Sequence, residues 1–443
     1  MNTYDVIVRG GTVVSHRGIG RADVGMRAGK IVAIGSLTGA PAAEVVAAEG
    51  LHVLPGVIDT QVHFREPGME GAEDLESGTR GAVLGGITAV FEMPNTRPMT
   101  VDPAAFADKM TRAKGRAWCD YAFYLGGTAQ NADQLFAWEN MAGCCGIKVF
   151  MGASTGDLLV PDDAALERIM RSGRRRIAIH AEDNFLLEAQ KDRRGHDVHN
   201  HPMWRDELSA IQATQRLLRL ARASKRRVHV LHVTTAEEMD ILAEHKDIAS
   251  VEVTPQHLTL AAPDCYDRLG TYAQMNPPIR AARHRDGLWQ ALQAGVPDMI
   301  GSDHAPHPKA NKDKIYPDSP SGMPGVQTLL PVMLDHVAAG RLTLHQLIDL
   351  VCAGPARVFG MIGKGRVAVG NDADLTLVDL NARRTIEAKW IASKCGWTPY
   401  DGMRITGWPM MTIIRGRTVM RDGVLQGPPA GKPLRFEETL RPA

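Results

Sequence analysis

The sequence predicts a (β/α)8 (TIM) barrel together with a small β domain formed by the N- and C-terminal segments. Eight short runs rich in β-branched residues alternate with longer amphipathic stretches rich in Ala, Leu and Arg, which is typical of repeated βα units around a parallel sheet. The alternation extends over about 250 residues, the usual length of such a barrel. We therefore assign residues 55–361 to the barrel and residues 1–54 together with 362–443 to the small β domain.

The two ends of the chain share a different pattern of short strands separated by Gly turns. Near the start it appears in YDVIVRGGTVV, ADVGMRAGKIVAIG and LHVLPG, and near the end in GKGRVAVGNDADLTLVDL and MTIIRGRTVMRDG. Because the two patterns are alike, we expect both ends to build one domain.

The barrel strands are predicted from the apolar runs between the amphipathic stretches. Each run is short enough for a buried strand and is followed by a turn or a helical pattern. The predicted strands are 57–62, 88–93, 121–125, 147–151, 177–180, 228–233, 251–254 and 299–303.

Chemically versatile side chains stand at or just beyond the ends of these runs. A barrel of this kind carries its chemistry at the carboxyl ends of its strands, so these residues should meet at one rim. Basic stretches at 174–176 and 225–227 come instead just before strands, where we expect them to be solvated. The residues at the predicted rim are His63, Asn95, Lys148, His180, His232 and Asp303.

Composition argues for a small-molecule partner. The chain has 443 residues with 51 Lys plus Arg and 50 Asp plus Glu, so its net charge of +1 gives no field that would attract nucleic acid or an anionic membrane. The first residues, MNTYDVIVRGG, lack the apolar stretch of a secretory signal, and no run of about 18 apolar residues occurs. We expect a cytoplasmic protein whose six cysteines, which show no CxxC spacing, are core or surface thiols.

Three histidines and an aspartate suggest a metal centre. His63, His180 and His232 with Asp303 come from strands 1, 5, 6 and 8, so they converge only if the barrel closes. Neutral imidazoles with a carboxylate suit zinc or a similar divalent ion. Each histidine taken alone fits a hydrogen-bonded core residue better, and it is the convergence of four strand ends that favours a metal centre.

Lys148 follows the apolar run CCGI, so its side chain begins inside a barrel strand. Burial favours the neutral amine, which can take up carbon dioxide to become a carbamate that bridges two metal ions. The alternative is a structural lysine paired with Asp303 or Glu182.

Asp303 in SDHAPH is the candidate proton carrier. A carboxylate that touches both an activated water and the substrate can accept the proton of the water and return it to a leaving nitrogen. The segment after it, residues 308–325, is long, polar and rich in Gly and Pro, as in a lid over a pocket or a disordered surface loop.

Substrate contacts are expected from Arg65 in FREPG and Asn95 in EMPNT. The guanidinium fork matches a carboxylate in two hydrogen bonds, although Arg65 could instead pair with Glu66. Asn276 in MNPPIR follows strand 7 near the mouth. The histidines of HDVHNHPMW lie outside any predicted strand end, and we expect them at the surface: His196, His199 and His201.

Eight ordered motifs resemble the dihydroorotases of the amidohydrolase superfamily. The resemblance runs from about residue 50 to residue 360, and Arg65 with Asn95 makes it greater to dihydroorotases than to allantoinases or hydantoinases. The motifs are PGVIDTQVHFREPG, FEMPNTRP, GIKVFMGASTG, IHAED, VLHVTTAEE, VTPQHL, MNPPIR and GSDHAPH.

The resemblance implies zinc-dependent, reversible hydrolysis of (S)-dihydroorotate to N-carbamoyl-L-aspartate, a step of pyrimidine biosynthesis. It also implies roles for individual residues. His63 would ligate one ion, His180 and His232 would hold a second, and carboxylated Lys148 would bridge the two. Asp303 would bind metal and move the proton. The substrate carboxylate would be held by Arg65, Asn95 and His307, and Asn276 would line the substrate ring.

Gln61 departs from that pattern, because dihydroorotases typically read His-x-His where this chain reads Gln61-x-His63. An amide oxygen is a poorer ligand for zinc than imidazole. Three outcomes stay open: two metal ions with Gln61 as a weak ligand, one metal ion held by His180 and His232, or an inactive relative that stabilises an aspartate transcarbamoylase. We also expect a homodimer.

Overall fold

The computed structural model describes residues 4–16, 18–154 and 158–439. The outer ends of the predicted small domain, residues 1–3 and 440–443, lie outside the described residues, as do Thr155 and Gly156 of the GIKVFMGASTG motif. Across these three ranges, no helix has the length and apolar character needed to cross a membrane.

The central element is an eight-stranded parallel sheet in which the strands follow one another in chain order. Their side chains are buried throughout, as expected for a sheet covered on both faces. The strands are β8 (Val57–Val62), β9 (Ile87–Glu92), β10 (Asp120–Gly126), β11 (Cys144–Phe150), β12 (Ile177–His180), β13 (Val228–Val230), β14 (Ala249–Val253) and β15 (Met299–Ile300).

Backbone hydrogen bonds close this sheet into a barrel. The amide of His63 donates to the carbonyl of His304 at 2.7 Å, and the amide of His304 donates to the carbonyl of Gln61 at 3.3 Å. A parallel bridge between Val62 and His304 accompanies them. The first and last strands are therefore neighbours, and the predicted barrel is confirmed.

Five strands end earlier than the apolar runs predicted, β9, β11 and β14 by one residue and β13 and β15 by three. β13 stops at Val230 and β15 at Ile300. Beyond these strands His232 and Asp303 have φ angles of 37° and 44°, a left-handed conformation that a strand cannot accommodate. The run 177–180 matches β12 residue for residue.

Helices cover the outside of the barrel. The step from β13 into the next helix is set by Thr235 and Glu238, which form a reciprocal capping box. The helices are α1 (Leu75–Leu84), α2 (Pro103–Ala113), α3 (Leu135–Trp138), α4 (Asp163–Arg171), α5 (Asn184–Ala189), α6 (His201–Trp204), α7 (Glu207–Ser224), α8 (Ala236–Ala243), α9 (Pro255–Thr259), α10 (Asp264–Leu269), α11 (Ala282–Gln293), α12 (Lys309–Lys312), α13 (Leu329–Ala338), α14 (Leu344–Ile348) and α15 (Gly354–Phe359).

The chain termini build the small β domain. Its strands form two sheets, a four-stranded one in the order β5-β4-β1-β6 and a seven-stranded one in the order β19-β18-β17-β16-β7-β2-β3. The strands are β1 (Tyr4–Arg9), β2 (Thr12–Ser15), β3 (Gly18–Arg21), β4 (Asp23–Arg27), β5 (Lys30–Gly35), β6 (Ala42–Ala47), β7 (His52–Pro55), β16 (Leu375–Thr385), β17 (Arg404–Ile414), β18 (Arg417–Arg421) and β19 (Val424–Leu425).

Antiparallel pairing of β7 with β16 joins the two ends in one sheet, with Leu375 opposite Pro55 and Val378 opposite His52. This confirms a small β domain made from both termini. The boundaries at residues 54/55 and 361/362 stay a prediction.

The basic stretches before β12 and β13 are solvated only in part: Arg174, Lys225 and Arg227 are exposed as predicted, whereas the middle arginine of each stretch is buried. Arg175 and Arg226 are only 1% and 2% exposed, and Arg226 Nη2 lies 2.7 Å from Glu139 Oε2. Glu139 is itself fully buried. Glu139 thus holds both arginines, Arg226 through its carboxylate and Arg175 through its backbone carbonyl, which accepts from Arg175 Nη1 at 2.7 Å.

The six cysteines are all buried and free. Burial raises the pKa of each thiol, as for Cys265, whose pKa is raised to about 12.

We expect Lys109→Met to lower the free energy of unfolding by about 3 to 5 kcal/mol, because it leaves Glu92 buried without its hydrogen-bonded cation. Burial already raises the pKa of Glu92 to about 7 and removal of Lys109 raises it further, so the difference from wild type should grow above about pH 7, where only the wild-type carboxyl ionises in the folded state. Urea unfolding on both sides of this pH measures it. Exposed Lys114→Met is the control, and equal losses in both variants would contradict the prediction.

Candidate functional site

A polar pocket lies at the carboxyl ends of the barrel strands and encloses about 350 Å³ including its open mouth. Eight of the residues predicted from the sequence line it, and they come from six different strand ends. These eight are Gln61, His63, Arg65, Asn95, His180, His232, Asn276 and Asp303. The sequence did not single out the others, which are Phe150, Ser154, Ala305, Ser321 and Gly322.

His63 is held between an amide and a carboxylate. Its Nδ1 lies 2.7 Å from Asn95 Oδ1, which accepts its hydrogen, and its Nε2 lies 3.2 Å from Asp303 Oδ1. Burial lowers the pKa of His63, so the ring is neutral near pH 7. Its Nε2 lone pair and the Asp303 oxygen thus face the same region.

His180 and His232 form a second pair. His180 Nδ1 lies 3.0 Å from His232 Nε2, while His180 Nε2 lies 2.8 Å from Glu182 Oε2. Burial lowers the pKa of both imidazoles and so keeps them neutral. Because Glu182 accepts the Nε2 hydrogen, Nδ1 of His180 keeps its lone pair and faces His232.

Glu182 orients the ring of His180. From the sequence it was expected only as a possible partner of Lys148. Arg205 binds both of its oxygens, with Nε 3.1 Å from each. This buried cation, together with His180, lowers the pKa of Glu182 despite burial. A carboxylate that stays ionised at all relevant pH values therefore fixes the tautomer of His180.

Lys148 lies beneath the pocket on β11 and is 1% exposed. Its Nζ has no hydrogen-bond partner among the described residues and sits 4.1 Å from the centre of the Phe150 ring. The expected alternative partners do not bind it, since Glu182 is engaged by Arg205. Burial lowers the pKa of Lys148 to about 7, although the charges of Asp303 and Glu252 oppose that shift.

Gln61 is buried against Asp303. Its Nε2 donates to Asp303 Oδ1 at 3.0 Å, and its Oε1 has no hydrogen-bond partner among the described residues. The side chain therefore points into the pocket, as the alternation along β8 predicts. It supports the carboxylate that also faces His63.

Arg65 is 2% exposed and does not pair with Glu66. Its Nε donates to the Pro306 carbonyl at 3.2 Å, and its Nη2 lies 3.2 Å from His307 Nε2. No carboxylate of the described residues lies within 4.0 Å of it, and Glu66 binds Arg116 instead. Burial lowers its pKa only to about 10, so Arg65 stays charged in the pocket.

Three pocket residues have strained backbones. Arg65, His232 and Asp303 adopt φ angles of 63°, 37° and 44°, a region that side chains other than glycine rarely occupy. Such strain is kept when surrounding structure determines where a side chain must point.

The segment 308–325 is packed against the barrel and is not a disordered surface loop. Lys312 is fully buried, and its Nζ donates to the carbonyls of Gln274, Pro320 and Gly322 at 3.2, 2.8 and 3.1 Å. The bond to Gln274 holds the segment to the loop after β14, and the other two join the two ends of the segment. Gly322 lines the pocket, so the buried amine of Lys312 holds this side of the site in place.

The surface position expected for His201 is wrong. This residue is 0% exposed, and its Nε2 lies 3.1 Å from Asn276 Oδ1. His199 does lie at the surface, where it pairs with Asp197 and Asp267.

The nitrogen and oxygen donors of the pocket suit a divalent cation. They are arranged in two separate pairs of side chains. Within the described ranges, no three side chains of His, Cys, Asp or Glu form one cluster of metal-ligand size. The pairs are His63 with Asp303 and His180 with His232. Lys148 is near both pairs, since the charge of Asp303 acts on Lys148 and the charge of Lys148 contributes to the lowered pKa of His180 and of His232. A cation could be bound by neutral imidazoles that face each other. The unpartnered amine of Lys148 could contribute once it is carboxylated.

A closed (β/α)8 barrel with a polar pocket at the carboxyl ends of its strands is typical of enzymes that act on small molecules. The sequence model described as "Amidohydrolase family" matches residues 52–419. The chain belongs to this family and is a hydrolase. Members of the family are generally metal-dependent.

Several relatives with different stated activities resemble the chain. It is 37% identical to a dihydroorotase of Halobacterium salinarum over 83% of this chain and 86% of that protein. It is 35% identical to an allantoinase of Rubrobacter xylanophilus over 98% of both proteins. The solved L-hydantoinase (dihydropyrimidinase) from Arthrobacter aurescens superposes with a TM-score of 0.92 at 32% identity, covering 97% of this chain and 99% of that chain.

We expect Gln61→His to tighten zinc binding by about tenfold, because imidazole is a better ligand than an amide at a position that faces Asp303. Zinc retained per chain after dialysis against a graded series of chelator concentrations measures this. Gln293→His on the exposed face of α11 controls for adventitious binding by an added histidine. Equal retention by both variants would contradict the prediction.

Proposed function

We propose that the chain is a dihydroorotase that hydrolyses (S)-dihydroorotate reversibly to N-carbamoyl-L-aspartate in pyrimidine biosynthesis. The observation that carries the proposal is the Arg65 guanidinium, a buried charge that lines the pocket without a carboxylate partner in the described protein. A buried cation is costly unless an anion pairs with it. The carboxylate of dihydroorotate would supply that anion.

The charge of Arg65 also separates the candidate substrates. Hydantoin and allantoin are cyclic ureides without a carboxylate, so neither would neutralise the guanidinium. His307 and Asn95 border the same charge: His307 Nε2 lies 3.2 Å from Arg65, and Asn95 lines the pocket. These three side chains together would hold the substrate carboxylate, with Asn276 against the ring.

Asp303 would carry the proton. Its carboxylate faces the pocket and is supported by Gln61, which donates to Oδ1, while His63 approaches the same oxygen. It can accept a proton from the attacking water and return it to the ring nitrogen that leaves when the amide bond breaks.

His63 with Asp303, and His180 with His232, would hold zinc, and a carboxylated Lys148 would join the two pairs. An ion bound there would polarise the ring carbonyl and lower the pKa of the attacking water. Glu182 and Arg205 keep His180 in the tautomer that presents Nδ1. Whether one or two ions bind depends on how well Gln61 substitutes for an imidazole.

We expect wild-type protein with micromolar zinc to turn over dihydroorotate in preference to allantoin and hydantoin. Arg65→Met should lower kcat/KM for dihydroorotate at least about 30-fold, the loss of roughly 2 kcal/mol expected when one partner of a buried charge pair is removed. Turnover of the two neutral ureides should change by less than about threefold. Exposed Arg168→Met, whose partner is Asp133, is the matched control. Preferred turnover of a neutral ureide by wild type would overturn the substrate assignment.

We expect Lys148 to carry a carbamate whose occupancy in metal-free protein rises with pH through about 7, because only the neutral amine takes up carbon dioxide. Carbon-13 NMR with labelled bicarbonate measures it, and Lys148→Ala should remove the signal. Lys312 is the internal comparison, since burial lowers its pKa to about 7 as well, yet its Nζ is held by three carbonyls.

Activity gives a second measurement on the same variant. Lys148→Ala should lose most turnover, and short carboxylic acids should restore part of it by supplying the missing carboxylate. An active Lys148→Ala protein with full zinc content, or a carbamate signal that survives in it, would refute the role of Lys148.

Three further expectations accompany the proposal: a homodimer, a cytoplasmic location, and association with aspartate transcarbamoylase if the chain proves inactive. No contact or charge pattern in the described residues favours the inactive partner over the enzyme.

A further inference from the structure

His201 is a buried polar residue beside the pocket for which the proposed reaction has no use. It is the first residue of α6, in the connection between β12 and α7, and its ring is fully buried. Both ring nitrogens nevertheless have polar neighbours from two other loops of the barrel mouth. A buried side chain so fully engaged has a defined protonation and orientation.

The neighbours of His201 determine which nitrogen carries its hydrogen. Nε2 lies 2.9 Å from the backbone carbonyl of Met275, which can only accept, so Nε2 is the donor. Nδ1 is then bare and accepts from the Tyr316 hydroxyl at 3.4 Å. Burial and the nearby charge of Arg205 lower the pKa of His201 to about 3, so the ring keeps this single N–H at neutral pH.

The same N–H acts on Asn276. Its Oδ1 lies 3.1 Å from His201 Nε2, whereas the reverse orientation of the amide would bring two donors together. The backbone carbonyl of Met275 thus fixes the tautomer of His201, and that tautomer fixes the sense of the Asn276 amide. The nitrogen end of the amide is the end that His201 leaves free.

We propose that His201 is a positioning residue that makes Asn276 a hydrogen-bond donor in the pocket, so that the site selects a ligand with a carbonyl oxygen at this point of the ring. The identity of that ligand rests on the proposed cyclic-amide hydrolysis. Tyr316 belongs to the segment 308–325, so the arrangement also ties the orientation of Asn276 to the placement of that segment.

The first test compares two substitutions of His201. Gln places an amide N–H near the position of Nε2, so His201→Gln should keep kcat/KM within about threefold of wild type. His201→Phe fills the space without a donor and should lower kcat/KM about tenfold, mainly through KM, the effect of one lost hydrogen bond in a bound state. His199→Phe, on the exposed side of the same loop, should behave as wild type. Equal losses in His201→Gln and His201→Phe would contradict the proposal.

A double-mutant cycle separates positioning from packing. In an Asn276→Ala background His201→Phe should cause no further loss, because the group it orients is gone. A merely structural role would cost about tenfold in both backgrounds, and such additivity would overturn the inference. Thermal unfolding of each variant checks that it is folded.

The cycle uses whichever of dihydroorotate, allantoin and hydantoin the zinc-loaded wild type turns over. Lack of dihydroorotate turnover would therefore refute the proposed function, while additivity with any of the three substrates would refute the role of His201. Nitrogen-15 NMR of the wild-type imidazoles adds a test that needs no substrate, with the His201 signal assigned by its loss in His201→Gln. The Nε2–H tautomer is expected, and an Nδ1–H tautomer would overturn the inference.

Discussion

The hydrogen bonds that close the barrel are the constraint on which the site depends. They join the backbones of Gln61 and His63 to that of His304, and the side chains at this seam are those of the pocket. Gln61 and Asp303 meet although 242 residues separate them in the chain. Bringing such distant segments together costs conformational entropy that only the complete barrel repays. A partly folded chain would have strands and helices but no site.

Several ionisable side chains are buried inside the barrel near that seam, and their burial has an electrostatic cost. Burial raises the pKa of Asp59 to about 7 and that of Glu252 to about 8, close to where it lowers the pKa of Lys148 to about 7. Only part of this cost is offset locally, as by Thr60, which donates to Glu252 at 2.6 Å. Several displaced pKa values around one cavity are characteristic of functional sites, where the chemistry needs groups that the fold alone would not retain.

The sequence was sufficient for the barrel and for most of the pocket because both follow local patterns. Apolar runs locate the strands, and alternation along a strand places Gln61 and His63 on one face. Groups whose environment depends on distant partners were not predictable in this way. His201 and Arg175 look like surface residues in their own segments, and their buried partners, among them Asn276 and the backbone carbonyl of Glu139, lie elsewhere in the chain.

The local sequence pattern also fails, by three residues, to predict where the barrel strands β13 and β15 end. Leu231 and Val233 continue the apolar run past Val230, and Gly301 and Ser302 follow Ile300, but at both ends the backbone turns and His232 and Asp303 line the pocket. Both strands were predicted too long. The residues wrongly included in them, His232 and Asp303, are ones that the site requires. Position in an apolar run predicts burial, whereas conformation there is decided by what the side chain must reach.

The buried cysteines have a consequence for the chemical behaviour of the whole chain. A thiol reacts as its thiolate, and all six thiols are both inaccessible and held in the protonated form. The cysteines of the folded molecule should therefore resist thiol-directed oxidants and alkylating agents. A single cysteine introduced at the 78% exposed Ile315, beside Tyr316, would be the one reactive thiol among the described positions and could report on that segment without background labelling.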